Sequence, residues 1–194
     1  MKTLYIVRHA EPQRLPDVPQ EEWPLSAQGQ EAATCFFAQP ALQRAAHVYT
    51  SPLLRAVQTA RHADLPMTVD WRLAERRTGS DLPGVDCWLR QYEDRAFKCP
   101  DGESFEEVAW RMNACIDDIL AELKDGESAV AVSHAAAICA YLKQHCIVRV
   151  TERTTKAREI LWQGRCVYAG SLPPLTCFRL IFRQGKLTNI EAWS

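Results

Sequence analysis

Two dipeptides carry the reactive groups of this chain: Arg8-His9, which closes the apolar run LYIV, and Ser133-His134, which closes AVAV. A neutral imidazole becomes a nucleophile through one ring nitrogen when the other is held as a donor. A guanidinium has the planar, multi-donor shape that matches phosphate oxygens. A third run, HVYT, is followed by SPLLR, which brings Arg55 just after another strand-like stretch. Two arginines and two histidines on such turns describe an anion site. There, cations favour the neutral ring and stabilise the equatorial oxygens of a phosphoryl transition state.

These residues need strands to carry them and helices to follow. Residues 2–7 read as a buried strand, 47–50 and 67–70 as short extended pieces, and 128–133 as a second buried strand. Ser26 is placed as the N-cap of a helix ending near Gln39, where Pro40 stops it. Ser51 is placed as the cap of the next helix, with Pro52 at its first position. Ser104 opens the clearest helix, with Phe105, Val108, Met112, Ile116 and Ile119 at 3/4 spacing and Asp125-Gly126 past its end. A helix follows His134 to about His145, so the N–H groups of Ala135 and Ala136 are expected to face the anion. The tail closes with a hairpin, CFRLIF and LTNIEAW around Gln184-Gly185. Alternating strands and helices predict an α/β three-layer sandwich. Its central sheet is mostly parallel, with helices on both faces and an antiparallel edge from the tail. Ligands of such sheets bind beyond the carboxyl ends of the strands, where both histidines would arrive. The whole chain, 1–194, is read as one domain. The irregular stretch 78–103 is expected to be a small insertion capping the site.

Composition excludes several alternatives. A net charge of -1 in 194 residues provides no general field for nucleic acid or an anionic membrane. The N-terminal apolar run is too short for a signal peptide or a membrane span, which points to the cytosol. The eight cysteines are scattered without a C-x-x-C pair. They are read as small buried hydrophobes in a reducing compartment, with no metal site expected. His47, His62 and His145 are read as structural or surface. Trp23, Trp88 and Tyr92 are open between pocket and core.

RHAEP, LSAQGQEAA, SPLLRAVQTA, RLAERRTG, PDGESFEEVAWRM and VSHAAAI, in that order, resemble the successive landmarks of the histidine phosphatase superfamily, which includes cofactor-dependent phosphoglycerate mutases and related phosphatases. The resemblance runs from the first residues to about 138. It implies that His9 is the nucleophile that becomes phosphohistidine. Arg8 and Arg55 hold the phosphoryl group, with the backbone at Ala135 beside them. His134 stabilises the transferring group, and Glu75 protonates the leaving oxygen and later activates water, with Asp81 as the competing acid. It implies no metal and no organic cofactor. The expected partner is a small phosphorylated metabolite. Oligomeric state is not legible.

The match departs from the family pattern at four single positions and in TGSDLPG, which lacks the aromatic-acid pair usual after the acid residue's loop. Ala10 and Ala135 stand where glycine is usual, adding a methyl near the phosphate. Pro12 and Leu15 stand where hydroxyl and amide side chains are usual, with Gln13 or Arg14 as substitutes. The leading expectation is a phosphomonoesterase acting through phosphohistidine. A phosphoglycerate mutase-like phosphotransferase and a catalytically weak domain that binds a phospho-ligand are the alternatives.

Overall fold

The computed structural model describes residues 1–193. In chain order the elements are β1 (Lys2–Arg8), α1 (Ala27–Phe37), α2 (Pro40–Gln43), β2 (His47–Thr50), α3 (Leu54–Arg61), β3 (Met67–Val69), α4 (Cys87–Glu93), α5 (Phe105–Glu122), β4 (Ser128–Ser133) and α6 (Ala135–Leu142). Strands β5 (Ile147–Glu152), β6 (Ala157–Trp162), β7 (Arg165–Gly170), β8 (Cys177–Arg183) and β9 (Lys186–Trp193) follow. The main sheet has the order β3-β2-β4-β1-β8-β9. Its first four strands are parallel, and β8 and β9 join as the antiparallel edge.

The central strands are apolar on both sides because both sheet faces are covered. Leu4 and Ile6 of β1 and Ala129 and Ala131 of β4 point to one face, where α5 and α6 pack. Tyr5 and Val7, with Val130 and Val132, point to the other, against Phe36 and Phe37 of α1 and Ala56 and Ala60 of α3. This is the expected three-layer α/β arrangement. Alternation along each strand therefore sorts side chains between two cores, not between core and water.

Local signals set the helix starts, with two exceptions. Ser26 Oγ accepts from Gly29 N at 3.0 Å, and Ser104 forms a full capping box with Glu107, a device worth about 1 kcal/mol. A Cβ at Gly29 would lie 2.2 Å from Glu11 O, so only glycine lets α1 approach the loop after β1. Pro40 ends α1 but also opens the short α2, where its missing N–H costs nothing. Ser51 is not the cap of α3. That helix begins at Leu54 with Leu53 as its N-cap residue, and Ser51 Oγ is used elsewhere.

Two further segments rise over the strand ends. The backbone closes on itself at the base of the stretch 79–102: Ser80 N donates to Pro100 O at 2.9 Å, and a Cβ at Gly79 would sit 2.3 Å from that same oxygen. Within this stretch, Cys87 at the start of α4 is joined to Cys99. These two depart from the reading of the cysteines as mostly small buried hydrophobes in a reducing compartment. The other addition is the antiparallel sheet β5-β6-β7, absent from the sequence reading. It is tied to the main sheet by Arg165 Nη2, which donates to Asn189 Oδ1 at 2.9 Å and to Ile190 O at 3.0 Å. Among the described residues, no helix is long and apolar enough to cross a membrane.

Candidate active site

Strands β1 and β4 are parallel neighbours in a register that pairs Arg8 with Ser133. The next residue of each chain segment is a histidine, so the two imidazoles meet, with ring centroids 5.0 Å apart. Strand β2 lies on the other side of β4, and α3 after it brings Arg55 to the same point. Arg55 Nε donates to His9 Nε2 at 3.2 Å, its Nη2 to His134 Nδ1 at 3.3 Å, and its Nη1 to Gln20 O at 2.7 Å. His9, Arg55 and His134 are all buried, the last completely.

These contacts fix both tautomers, because a carbonyl only accepts and a guanidinium only donates. His9 Nδ1 therefore carries its proton toward Ala10 O at 2.7 Å and leaves Nε2 as the lone-pair nitrogen. In His134, Nδ1 is the acceptor and Nε2 donates to Ser51 Oγ at 2.8 Å. Burial, reinforced by the Arg55 and Arg8 charges and opposed by the Ala10 contact, pulls the His9 pKa down to about 3. Burial and the neighbouring His9 and arginines hold His134 well below the ordinary value too. Both rings are neutral at pH 7. Burial also lowers Arg8 and Arg55, and the Glu75 carboxylate counters it.

A pocket of about 450 Å³ opens above this centre, lined in part by Arg8, Gln20, Glu75, Ala135 and Ala136. Arg8 Nη1 donates to Leu172 O, and its buried Nε has no partner among the described residues. Of the two N–H groups expected from sequence to face the anion, that of Ala136 is taken up by a side chain of the protein. Ala136 N and Ala137 N donate to the Glu75 carboxylate at 3.3 and 3.0 Å, and Arg76 N adds a third bond at 2.9 Å. The helix terminus thus fixes Glu75 on the pocket wall, while Ala135 lines the pocket itself. Asp81, the competing acid, is exposed and outside the lining. Among the described residues, no group of three or more His, Cys, Asp or Glu side chains is arranged to hold a metal ion.

The departures from the family pattern have particular places in this geometry. Ala10 is fully buried, and its N–H is engaged by Thr59 Oγ1 at 2.9 Å. Pro12 bridges to Leu25 at the base of the following loop. Gln13 and Arg14 are exposed and do not line the pocket; Gln20 does. Trp23 pins that loop by donating to Leu15 O at 3.0 Å and to Val18 O at 2.9 Å.

The sequence profile of the histidine phosphatase superfamily, branch 1, matches residues 4–155. The chain belongs to that superfamily. It is 32% identical over 133 residues to a probable phosphoglycerate mutase of Yersinia enterocolitica, a match spanning 61% of this chain and 61% of that relative. Its match to the probable phosphoglycerate mutase of Yersinia pestis is 31% over 157 residues, 71% of this chain and 72% of the other. Among solved structures, a mycobacterial glucosyl-3-phosphoglycerate phosphatase complexed with VO3 superposes with a TM-score of 0.73 at 20% identity, over 100% of this chain and 99% of that one. A putative alpha-ribazole-5'-P phosphatase from Escherichia coli gives 0.64 at 21% identity, over 98% and 95% of the two chains. At those identities the likeness is one of fold. For this histidine phosphatase superfamily member, sequence reasoning found His9, Arg55 and His134. It missed Ser51, because a hydroxyl before a helix also reads as a cap, and Thr59 and Gln20, whose contacts to Ala10 N and Arg55 join segments distant in sequence.

Proposed function

We propose that the protein hydrolyses phosphomonoesters of small metabolites through a phosphohistidine at His9. The observation that carries this reading is the His9 tautomer: Nδ1–H is committed to Ala10 O, which leaves Nε2 unprotonated beside Arg55. An incoming phosphoryl group offers Arg55 Nε a better acceptor than an imidazole nitrogen, so that donor moves to a phosphate oxygen and frees His9 Nε2. His9 Nε2 then attacks phosphorus as the ester P–O bond breaks. Glu75, carrying a proton, gives it to the departing oxygen. In the second half, water attacks phosphorus, Glu75 takes the water proton, and the P–N bond breaks to release phosphate and neutral His9. Arg8 and Arg55 balance the charge on the three equatorial oxygens, and His134, whose Nδ1 accepts from Arg55, holds that guanidinium in place beside them.

The test is rapid quench of the enzyme with a ³²P-labelled monoester under alkaline conditions that preserve phosphohistidine. A labelled enzyme that forms and decays at the rate of turnover supports the reading. Hydrolysis by His9→Ala at the wild-type rate sinks it.

A phosphotransferase reading is favoured by one finding, the 31–32% identity to probable phosphoglycerate mutases. A transferase returns the phosphoryl group to a second hydroxyl instead of water. With a phosphorylated hydroxy acid it gives positional isomerisation without equivalent phosphate release, which a coupled assay separates from hydrolysis.

A further inference from the structure

The outer half of the pocket holds charges that phosphoryl transfer leaves unused. Arg158 of β6 is 4% exposed and lines the pocket, yet among the described residues no carboxylate pairs with it. Its Nε donates to Tyr92 Oη at 2.7 Å, and its guanidinium lies 5.4 Å from the Trp88 ring centroid and 5.3 Å from that of Tyr92. Lys156, in the turn before β6, places Nζ 5.6 Å from the same Trp88 ring and also lines the pocket. Burial of the Arg158 guanidinium is costly; Tyr92 and the more distant Glu75 counter it, but with no contacting carboxylate its charge remains available to an anionic ligand. The aromatic faces offset only part of that cost.

A second observation lies beside them. Gln91 is 1% exposed and lines the pocket. Its Nε2 is satisfied by Trp88 O at 2.9 Å, but its buried Oε1 has no partner among the described residues. An orphaned buried acceptor destabilises a folded protein, and a donor on a bound ligand removes the cost. The turn that presents Lys156 is held to α4 by the Arg153–Asp86 ion pair, so the two walls are joined.

We propose that Arg158 and Lys156 form a second anion subsite, and that the substrate is a monoester with a further anionic group, carboxylate or phosphate, and a hydroxyl that Gln91 Oε1 accepts from. This rests on the phosphomonoesterase reading for turnover but not for binding. The phosphoryl dianion is matched by Arg8 and Arg55. Arg76 is taken by Glu103 O at 2.8 Å and by Arg77 O. Arg158 and Lys156 are the lining cations left over, and they face the part of the substrate that does not react. Trp88 and Tyr92 act as positioning residues that keep the guanidinium aimed inward.

Binding is tested by calorimetry with non-hydrolysable phosphonates: methylphosphonate, 3-phosphonopropionate and propane-1,3-bisphosphonate. Either two-anion ligand is expected to bind the wild type about 10- to 100-fold more tightly than methylphosphonate. The tighter of the two identifies carboxylate or phosphate as the group recognised. Arg158→Gln should remove most of that preference and Lys156→Gln part of it, with methylphosphonate affinity changed less than about 3-fold. Lys156 is exposed, so its variant keeps the test open where Arg158→Gln does not fold. Equal affinity of all three ligands for the wild type overturns the subsite, as does equal weakening of all three by Lys156→Gln together with Arg158→Gln. Kinetics with p-nitrophenyl phosphate then separate the two readings. Turnover without a two-anion preference leaves the phosphatase reading standing and the subsite refuted. Preference without turnover of any ester does the reverse.

Discussion

His9 and His134 stand at the carboxyl ends of two adjacent parallel strands, whereas Trp88 and Arg158 stand on a short helix and an antiparallel hairpin that rise above those ends. The first pair is fixed by the central sheet. Backbone register sets their separation, and each ring has defined partners on both nitrogens. The second pair is fixed by side-chain contacts between two separate excursions, joined by Arg153–Asp86 and Arg158–Tyr92. The inner region is built to hold one chemistry, and the outer wall is free to vary what reaches it. Substitutions should therefore divide: inner ones change turnover of every ester, outer ones change discrimination among esters.

The strongest test of that division is His9→Ala. Loss of the proposed nucleophile is expected to lower kcat/KM by about 10⁴-fold or more, alike for p-nitrophenyl phosphate and for two-anion esters. Steady-state kinetics on both classes, with circular dichroism to confirm folding, provide the check. A loss confined to one class would break the comparison.

Glu75→Gln comes next. The amide still accepts a backbone hydrogen bond but donates no proton to the leaving group. We expect roughly 10²- to 10⁴-fold slower hydrolysis of alkyl phosphates. The loss should be much smaller for p-nitrophenyl phosphate, whose leaving group needs no proton. A leaving-group series measures the contrast, and equal losses across the series would remove Glu75 from the acid role.

The buried histidines also predict a pH dependence. His9 has a folded pKa of about 3, below the ordinary 6.5. Between those values the unfolded chain binds a proton that the folded chain refuses. Its effect on stability is therefore absent above pH 6.5 and grows as pH falls toward 3. For one such group the slope approaches about 1.4 kcal/mol per pH unit. His134, lowered in the same direction, steepens it. Urea unfolding from pH 7 to 4 should show this acid-side loss, and His9→Asn should flatten it. NMR titration should find neither His9 nor His134 protonating between pH 8 and 5.

What the sequence disclosed follows the same line between the regions. Each inner residue comes right after an apolar run, so LYIV-RH, HVYT-SPLLR and AVAV-SH announce strand ends and the groups they carry. Strand β6 also alternates, half-buried with buried, and its turn at Gln163-Gly164 has positive φ at both residues. Those signals lie in residues 147–170, beyond the stretch that the family resemblance covers. Arg158 was hidden for another reason: an arginine in an amphipathic strand reads as a solvated face until Tyr92 and Trp88, over 60 positions earlier, are brought against it. The Cys87–Cys99 pairing and the use of the α6 terminus by Glu75 likewise depend on chain segments that local pattern does not join. Ser51 misled because its hydroxyl precedes a helix, as a cap does.

Ser51 gives the finest test of how firmly the inner region is held. Its Oγ is the acceptor that keeps the proton on His134 Nε2 and leaves Nδ1 facing Arg55. Ser51→Ala removes that acceptor in a place with no access to water, since both residues are fully buried. The ring is then free to carry its proton on Nδ1, which would face the Arg55 guanidinium donor to donor. Arg55 would lose one of its anchors and hold the phosphoryl group less well. We expect kcat to fall about 3- to 10-fold, as for loss of a hydrogen bond that orients a ligand rather than touching the reacting atom, with KM for p-nitrophenyl phosphate nearly unchanged. A merely structural role would lower thermal stability and leave the tautomer alone. ¹⁵N chemical shifts of the His134 ring therefore decide: a shift of protonation toward Nδ1 in Ser51→Ala, reversed in Ser51→Thr, supports orientation through this bond. An unchanged tautomer with the same loss of kcat would move the control of His134 to Arg55 alone.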